Sequence, residues 1–362
     1  MKKVLGLAAA GLVAAGAANA GTLTVANTDI TLYGGVSASY DYMDNDHVAA
    51  QNNVAGNQDN FHVTTFAIGL MKKADPNKSP IGFNAAFASF DIPTVIASGK
   101  VVNDNNLIKY GQTSEFKPWL AYATIAPIEG LSIDAGLLWN KFGEAPLTIL
   151  NKNYTRGILF TGHPVLYPGA RVNYDAGIAK VYVGYNQGGG LRQGNVKDAV
   201  EAGVMADLGV AKVGLHMYDE SAGRNLYVAC AKADAGVAKV GVEIDYTTLD
   251  DNAKTPGADD SALGIALNVD PVINEQVSVP VRIEYVNNGD SAPGDISGSG
   301  IYLTGEKSAW SFTITPTYKP TKNTFARVEA AYVTTDKKVF VNDKGNGKDS
   351  RTVLAFEAGF LF

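Results

Sequence analysis

The chain has 362 residues, a formal net charge of −6, 46% hydrophobic residues and a mean hydropathy of −0.02. Its acidic balance, with 30 Lys and Arg against 36 Asp and Glu, argues against nucleic acid as a partner, because no basic stripe is present to neutralise phosphates. The low hydropathy argues against a helical membrane protein, since no apolar run of about 18 residues follows the first twenty.

The first twenty residues have the organisation of a secretory signal peptide. Lys2 and Lys3 provide a positive start, residues 4–17 are apolar and rich in Ala and Gly, and Ala18-Asn19-Ala20 matches a small-x-small cleavage site. We therefore predict a signal peptide over residues 1–20, cleavage near Ala20 and a mature domain of residues 21–362. The alternative is a retained anchor helix, for which the apolar stretch is short.

Alternating apolar and polar residues predict about sixteen β-strands in the mature chain. An even number places both ends of the chain on the same side of a closed antiparallel sheet. The predicted fold class is therefore all-β, a transmembrane antiparallel up-and-down β-barrel. The predicted strands lie near residues 30–40, 59–71, 80–91, 114–125, 131–140, 167–175, 179–187, 198–207, 211–219, 225–234, 238–248, 261–269, 277–287, 307–318, 324–335 and 351–362.

The predicted connections alternate between long and short, which is typical of a barrel with long external loops and tight periplasmic turns. The long ones are residues 43–58, 92–113, 141–166, 249–260, 288–306 and 336–350. The short ones are residues 72–79, 126–130, 176–178, 208–210, 235–237, 270–276 and 319–323. An Asp-x-Gly-x-Ala-Lys-Val motif begins at Asp175, Asp207 and Asp234, and it predicts three of the short turns.

Alternation within the strands also predicts which side chains face the interior. Hydrophobic residues such as Val242, Ile244 and Ile283 fall on one face, and charged residues fall between them. A charge facing lipid at the bilayer midplane costs about 2–4 kcal/mol, so the charged face is expected to line a wet lumen. The charged lumen residues predicted in this way are Arg171, Glu243, Arg282 and Glu284.

The connection at residues 141–166 is long but unusually apolar for an external loop, with Leu147, Ile149 and Leu159 among its residues. We predict that it folds into the barrel, packs against the wall and narrows the pore. Its charged edge would then be formed by Lys141, Glu144, Lys152 and Arg156. The alternative is an external loop packed over the barrel mouth.

The chain ends in an alternating strand, in which Leu354, Phe356, Phe360 and Phe362 share one face. A terminal aromatic residue on such a strand, in a chain with a signal peptide, is typical of the closing strand that the barrel assembly machinery recognises. We therefore predict that Phe362 is read by that machinery and that the protein resides in the outer membrane of a Gram-negative type of cell.

A distinctive set of residues lies within residues 130–190: Gly136, the Phe142-Gly143 pair, the run Asn153-Tyr154-Thr155-Arg156, and Pro164 followed by Gly169-Ala170-Arg171. Through these residues the sequence resembles the OmpL-like β-barrel porin-2 family. This resemblance implies an outer-membrane pore and a diffusion function, without naming a substrate.

We therefore expect a porin that passes small polar solutes and ions by passive diffusion. We expect outer-membrane lipid to surround it, and a homotrimer is a candidate assembly. The alternative is a structural or adhesive barrel that binds a partner through its external loops. None of the four histidines lies in a recognisable nucleophile motif, so we predict no enzyme, no cofactor and no metal site. Calcium binding by Asp41, Asp44 and Asp46 stays open as an alternative.

Overall fold

The computed structural model describes residues 22–25, 28–45, 60–96, 103–104, 107–108, 116–145, 148–188, 198–271, 273–291, 301–302, 307–342 and 344–362. The predicted signal peptide, residues 1–20, lies outside these residues, so its cleavage near Ala20 stays a prediction. Among the described residues, no helix is long and apolar enough to cross a bilayer.

Sixteen strands of the described chain form one closed antiparallel barrel, which confirms the predicted fold class. Each strand pairs with its neighbours in sequence, and the last pairs with the first. The strands are β1 (Thr28–Met43), β2 (Asn60–Lys72), β3 (Ile81–Phe90), β4 (Lys117–Ile128), β5 (Leu131–Trp139), β6 (Leu166–Asp175), β7 (Ala179–Asn186), β8 (Ala199–Asp207), β9 (Ala211–Glu220), β10 (Arg224–Asp234), β11 (Ala238–Leu249), β12 (Ser261–Pro271), β13 (Val281–Gly289), β14 (Lys307–Ile314), β15 (Thr324–Thr335) and β16 (Ser350–Leu361).

Shorter elements decorate the barrel. Thr22–Val25 pairs with the start of β1, and Val277–Ser278 pairs with Thr317–Tyr318 beside β13 and β14. Two small ladders lie in connections: Asn103–Asp104 with Leu107–Ile108, and Phe340–Val341 with Gly347–Lys348. Two 3-10 helices, Thr148–Leu150 and Leu159–Gly162, lie between β5 and β6.

The two faces of the barrel wall differ sharply in polarity, because successive side chains of a strand point to opposite sides. On β14, the outward Trp310 and Phe312 are each 45% exposed, whereas the inward Ser311 is fully buried. On β11, Ile244 is 42% exposed and Asp245 is fully buried. The wall is therefore apolar towards lipid and polar inside, as the alternation predicts.

The three repeated motifs form tight turns at one end of the barrel, which we call the short-turn end. Gly177, Gly209 and Gly236 have φ values of +88°, +81° and +80°, a region that favours glycine. The backbone N–H of each glycine donates to Oδ1 of the aspartate two residues earlier, at 3.0, 3.0 and 2.9 Å. The motif therefore supplies both the acceptor and the conformational freedom that the turn needs.

The opposite end, the long-loop end, carries the longer connections with one departure from the predicted alternation. The connection between β9 and β10 has only residues 221–223. Its tightness is stabilised by two backbone hydrogen bonds, from Gly223 N to Glu220 O at 2.8 Å and from Ser221 N to Asp198 O at 2.9 Å. The connection at the long-loop end of β9 and β10 is therefore short.

Candidate functional site

In the connection between β5 and β6, the described residues 140–145 and 148–165 lie inside the barrel along the inner faces of the strands. We call this connection the inner segment. Its apolar side chains are buried against the wall: Ile149 packs in a cluster with Tyr33 and Trp119, and Leu159 packs in another with Val286. These apolar side chains, which are unusual in an external loop, therefore pack against the inner wall of the barrel. Leu147 lies outside the described residues.

Glu329 of β15 binds the middle of the inner segment. Its carboxylate is fully buried and accepts hydrogen bonds from the backbone N–H groups of Tyr154 and Thr155 at 2.6 and 2.9 Å. It also accepts from the hydroxyl of Thr155 at 2.5 Å and from that of Thr315 at 2.7 Å. Four donors satisfy this buried charge, and two of them are backbone groups of the segment.

Glu284 of β13 binds the next turn. It accepts from the backbone N–H groups of Ile158 and Leu159 at 3.0 and 3.2 Å, and from the Ser311 hydroxyl at 2.6 Å. The preceding Gly157 lies so close that an added Cβ would come within 1.9 Å of Glu284 Oε1. This contact requires glycine, because only a residue without a Cβ lets the backbone approach the carboxylate.

Three arginines extend the attachment. Arg282 of β13 donates to Glu144 Oε1 at 2.8 Å and to the carbonyl of Thr155 at 2.9 Å. Arg327 of β15 donates to the carbonyls of Thr148 and Asn151 at 2.7 and 2.6 Å. Arg156, in the segment itself, donates to the Thr148 hydroxyl at 2.8 Å and to the Tyr154 carbonyl at 3.0 Å. These guanidinium groups therefore satisfy backbone carbonyls that would otherwise be buried without partners.

The four predicted edge residues of the inner segment differ in accessibility. Lys152 is the most open, with its side chain 55% exposed, and it pairs with Asp270 of β12 at 2.8 Å. Glu144 keeps 26% of its side chain exposed, and Lys141 is half-buried with its Nζ 5.9 Å from the ring centre of Tyr182. Arg156 is fully buried beneath the segment instead of lying on its edge.

The four predicted wall residues also fall into two groups. Arg282 and Glu284 are each 1% exposed, because the inner segment covers them. Arg171 of β6 is buried in a network in which its Nε lies 2.9 Å from Glu201 Oε1 and its Nη2 donates to the Trp139 carbonyl at 2.8 Å. Glu243 keeps 17% of its side chain exposed. The accessible predicted residues are therefore Lys141, Glu144, Lys152 and Glu243.

Burial changes the acid–base behaviour of Lys141, which lies in the inner segment and outside the strands. Loss of solvation lowers the pKa of its ammonium to about 8, and the nearby Arg171 guanidinium acts in the same direction. Lys141 therefore changes charge close to neutral pH.

Sequence reasoning missed several residues that hold the site together. Arg327 and Glu329 occupy alternate inward positions of β15, so the period-two pattern could have found them. His163 lies in no recognisable sequence motif, yet its Nε2 lies 2.5 Å from Asp245 Oδ2. Its role depends on a contact between residues 82 positions apart, which no local pattern reveals.

The open calcium alternative involves Asp41, Asp44 and Asp46. Asp46 lies outside the described residues. Asp41 is buried and receives a hydrogen bond from the Tyr154 hydroxyl at 3.4 Å, while Asp44 accepts from the backbone N–H of Thr352 at 2.5 Å. The two described carboxylates therefore have separate protein partners.

Known proteins resemble the chain in sequence family and in fold. A family described as "Putative beta-barrel porin-2, OmpL-like" matches residues 29–362. No curated protein matches the chain. Among solved structures, an anion-selective porin from Comamonas acidovorans is similar, with a TM-score of 0.62 and 11% identity over 92% of this chain and 99% of that one.

Two further solved structures are similar at the same low identity. OmpF of Salmonella typhi, solved with daunomycin, has a TM-score of 0.61 and 12% identity over 94% of this chain and 100% of that one. OmpT of Vibrio cholerae, folded in vitro, has a TM-score of 0.58 and 12% identity over 92% of this chain and 97% of that one. At such identities the likeness extends to the fold.

Proposed function

Because the chain belongs to the beta-barrel porin-2, OmpL-like family, we propose that it is a porin of the bacterial outer membrane that passes small polar solutes and ions by passive diffusion. One observation carries this proposal: a closed barrel with an apolar outer face and a charged inner face holds a long segment against its inner wall. Such a segment narrows the aqueous passage through the barrel without blocking it.

The inner segment would define the narrowest part of the pore. Lys141, Glu144, Lys152 and Glu243 keep accessible side chains and would border the passing solute. Arg156, Arg171, Arg282 and Glu284 would act from beneath, by holding the segment and the wall in place. A mixture of exposed acids and bases favours weak ion selectivity over a strong preference for one sign.

Two of the buried ion pairs add little to the field in the pore, because in each a positive group lies beside a negative one. Arg282 Nε lies 3.3 Å from Glu284 Oε2, and Arg171 Nε lies 2.9 Å from Glu201 Oε1. Opposite charges at such distances cancel each other for an ion several ångströms away. Glu144 and Lys152 also have partners, Arg282 and Asp270, at 2.8 Å, but their exposed side chains would lie nearer to the passing ion and contribute more to selectivity.

The expected environment follows from the outer face. The exposed aromatic and aliphatic side chains of the strands would contact outer-membrane lipid, and part of this surface would lie between subunits in a homotrimer. Cleavage near Ala20 and recognition of Phe362 by the barrel assembly machinery complete the proposed route. N-terminal sequencing of the purified protein should read from Gly21, and cross-linking in outer-membrane fractions should give a threefold species.

Reconstitution of the purified mature protein tests the proposed function directly. Planar bilayers should show stepwise conductance increments, and liposomes containing the protein should swell at a rate that falls as the size of the sugar increases. The heat-unfolded protein is the control. A folded barrel that neither conducts nor swells liposomes would instead favour the structural or adhesive barrel, with external loops that bind a partner.

A further inference from the structure

Three side chains that can bind a metal converge between the inner segment and β11. His163 follows the second 3-10 helix of the segment, and Glu243 and Asp245 occupy alternate inward positions of β11. His163 Nε2 lies 2.5 Å from Asp245 Oδ2 and 3.7 Å from Glu243 Oε1. One ligand atom from each residue lies within 4.8 Å of the other two.

The surroundings hold these groups in a fixed orientation. The imidazole packs edge-on against Phe142, with ring centres 5.5 Å apart, and against Gly143, where an added Cβ would lie 2.3 Å from Nδ1. The His163 side chain is 1% exposed. Only small movements are therefore open to the ring, and its Nε2 faces the two carboxylates.

Two buried polar atoms of the cluster have no hydrogen-bond partner within the described residues. Asp245 is fully buried, yet its Oδ1 has no hydrogen-bond partner among them, and the same holds for Nδ1 of His163. A buried carboxylate oxygen without a partner is costly, and two carboxylates this close repel each other. A divalent cation would neutralise both charges at once.

We propose that His163, Glu243 and Asp245 form a binding site for a divalent transition-metal ion of the zinc type. An imidazole nitrogen with two carboxylate oxygens is a ligand set suited to Zn²⁺, whereas Mg²⁺ and Ca²⁺ prefer oxygen ligands alone. Tetrahedral ligands about 2.0–2.1 Å from Zn²⁺ lie about 3.4 Å apart, so the ion needs His163 and Asp245 to separate by about 1 Å. The partly exposed Glu243 gives the ion access from the lumen.

Metal binding here would join the end of the inner segment to the wall. The segment is attached to β13 and β15 through Glu284 and Glu329, and the ion would replace its direct His163–Asp245 contact with β11 by a bridge that also includes Glu243. It would also place two positive charges beside the accessible Glu243. Bound Zn²⁺ should therefore lower cation permeability and shift the reversal potential towards anions.

Zn²⁺ binding to the detergent-purified mature protein, measured by isothermal titration calorimetry and by metal analysis after gel filtration, tests the proposal. One ion should bind per chain, and Mg²⁺ at the same concentration should not displace it. His163→Gln and Asp245→Asn should each weaken the affinity about tenfold or more, since even residues behind the ligands contribute that much in metal sites. His216→Gln is the matched control, because His216 is another buried inward histidine.

Direct binding separates this site from the proposed pore function, since Zn²⁺ can bind whether or not the barrel conducts. Unchanged Zn²⁺ affinity in both His163→Gln and Asp245→Asn would overturn the proposal, as would failure of the parent protein to bind. Equal loss of affinity in His216→Gln would also count against it, by placing the ion elsewhere. Heat-modifiable migration of each variant on gels verifies that the barrel has folded.

Discussion

Lys152 and Arg156 carry the same charge and lie four residues apart, but their side chains occupy different environments. The Lys152 ammonium is largely exposed and pairs with Asp270 at 2.8 Å. The Arg156 guanidinium is fully buried and donates to groups of its own segment. A permeating ion would therefore meet Lys152 in a polar environment, whereas Arg156 acts on the pore only through the conformation of the segment.

Neutralising Lys152 should change ion selectivity without affecting the fold. Lys152→Gln removes an exposed positive charge and leaves Asp270 without its partner, so the reversal potential in a salt gradient should move towards cations. Asp270→Asn should move it towards anions. Planar-bilayer recordings measure both. If the two variants select ions as the parent does, this ion pair lies away from the permeation path.

The pKa of Lys141 predicts a pH-dependent selectivity. Its ammonium, with a pKa lowered to about 8 by burial, is charged at lower pH and loses its charge as the pH rises through 8. Raising the pH from about 6.5 to about 9.5 should therefore reduce anion preference. Lys141→Arg keeps the charge over this range and should remove that part of the response, because the guanidinium stays protonated. An identical response in parent and variant would assign the titration to another group.

The inner segment shows how an element without regular secondary structure is fixed. Only seven of its described residues lie in 3-10 helices, yet its backbone N–H groups bind Glu284 and Glu329, and its carbonyls bind Arg282 and Arg327. Hydrogen bonds to charged groups are worth about 1.5–3 kcal/mol each. The wall therefore supplies the fixed partners that a helix or sheet would otherwise provide.

Gly157→Ala should release the segment from β13. The added methyl would lie 1.9 Å from Glu284 Oε1, so either the carboxylate or the segment must move and the hydrogen bonds to Ile158 and Leu159 are lost. We expect higher and noisier single-channel conductance with an intact barrel. Gly241→Ala on β11 is the control, because its nearest neighbour would lie at 3.6 Å. Parent-like conductance in Gly157→Ala would mean that the segment does not limit the pore.

Part of this element could be predicted from sequence and part could not. The apolar residues Ile149 and Leu159 in a long polar connection indicated packing against the wall. The partners could not be identified, because Tyr154 and Glu329 are 175 residues apart and Ile158 and Glu284 are 126 apart. Pairings over such distances depend on how the closed barrel places its strands.

The barrel as a whole was predictable because lipid and water act on opposite faces of the same strand. Each strand therefore carries a local period-two pattern, from which the sixteen strands follow within a few residues. The connection at 221–223 is an exception to the predicted alternation of lengths. Loop length at the rim is set by function and not by the bilayer, so the pattern does not constrain it.

Closure of the barrel predicts a role for Phe362 in assembly. Its backbone N–H donates to Gly34 O at 3.0 Å, and its carbonyl accepts from Gly34 N at 2.9 Å. Deleting Phe362 removes both bonds and the terminal ring, so the fraction of folded, heat-modifiable protein should fall. Phe362→Ser keeps the backbone bonds and separates the role of the ring. Channels that do form should conduct as the parent does, and normal amounts of folded protein in both variants would contradict the prediction.

The attachments of the inner segment also set an order of events in folding. The segment leaves β5 early in the chain, whereas the carboxylates that bind it arrive 126 and 175 residues later, on β13 and β15. The seam itself joins residues still farther apart, such as Thr352 and Asp44, which are separated by 308 positions. Contacts between distant residues form slowly, because the chain entropy of the intervening loop is lost first. The inner segment therefore gains its partners only as the last strands join the sheet, and the narrow passage is a late product of assembly.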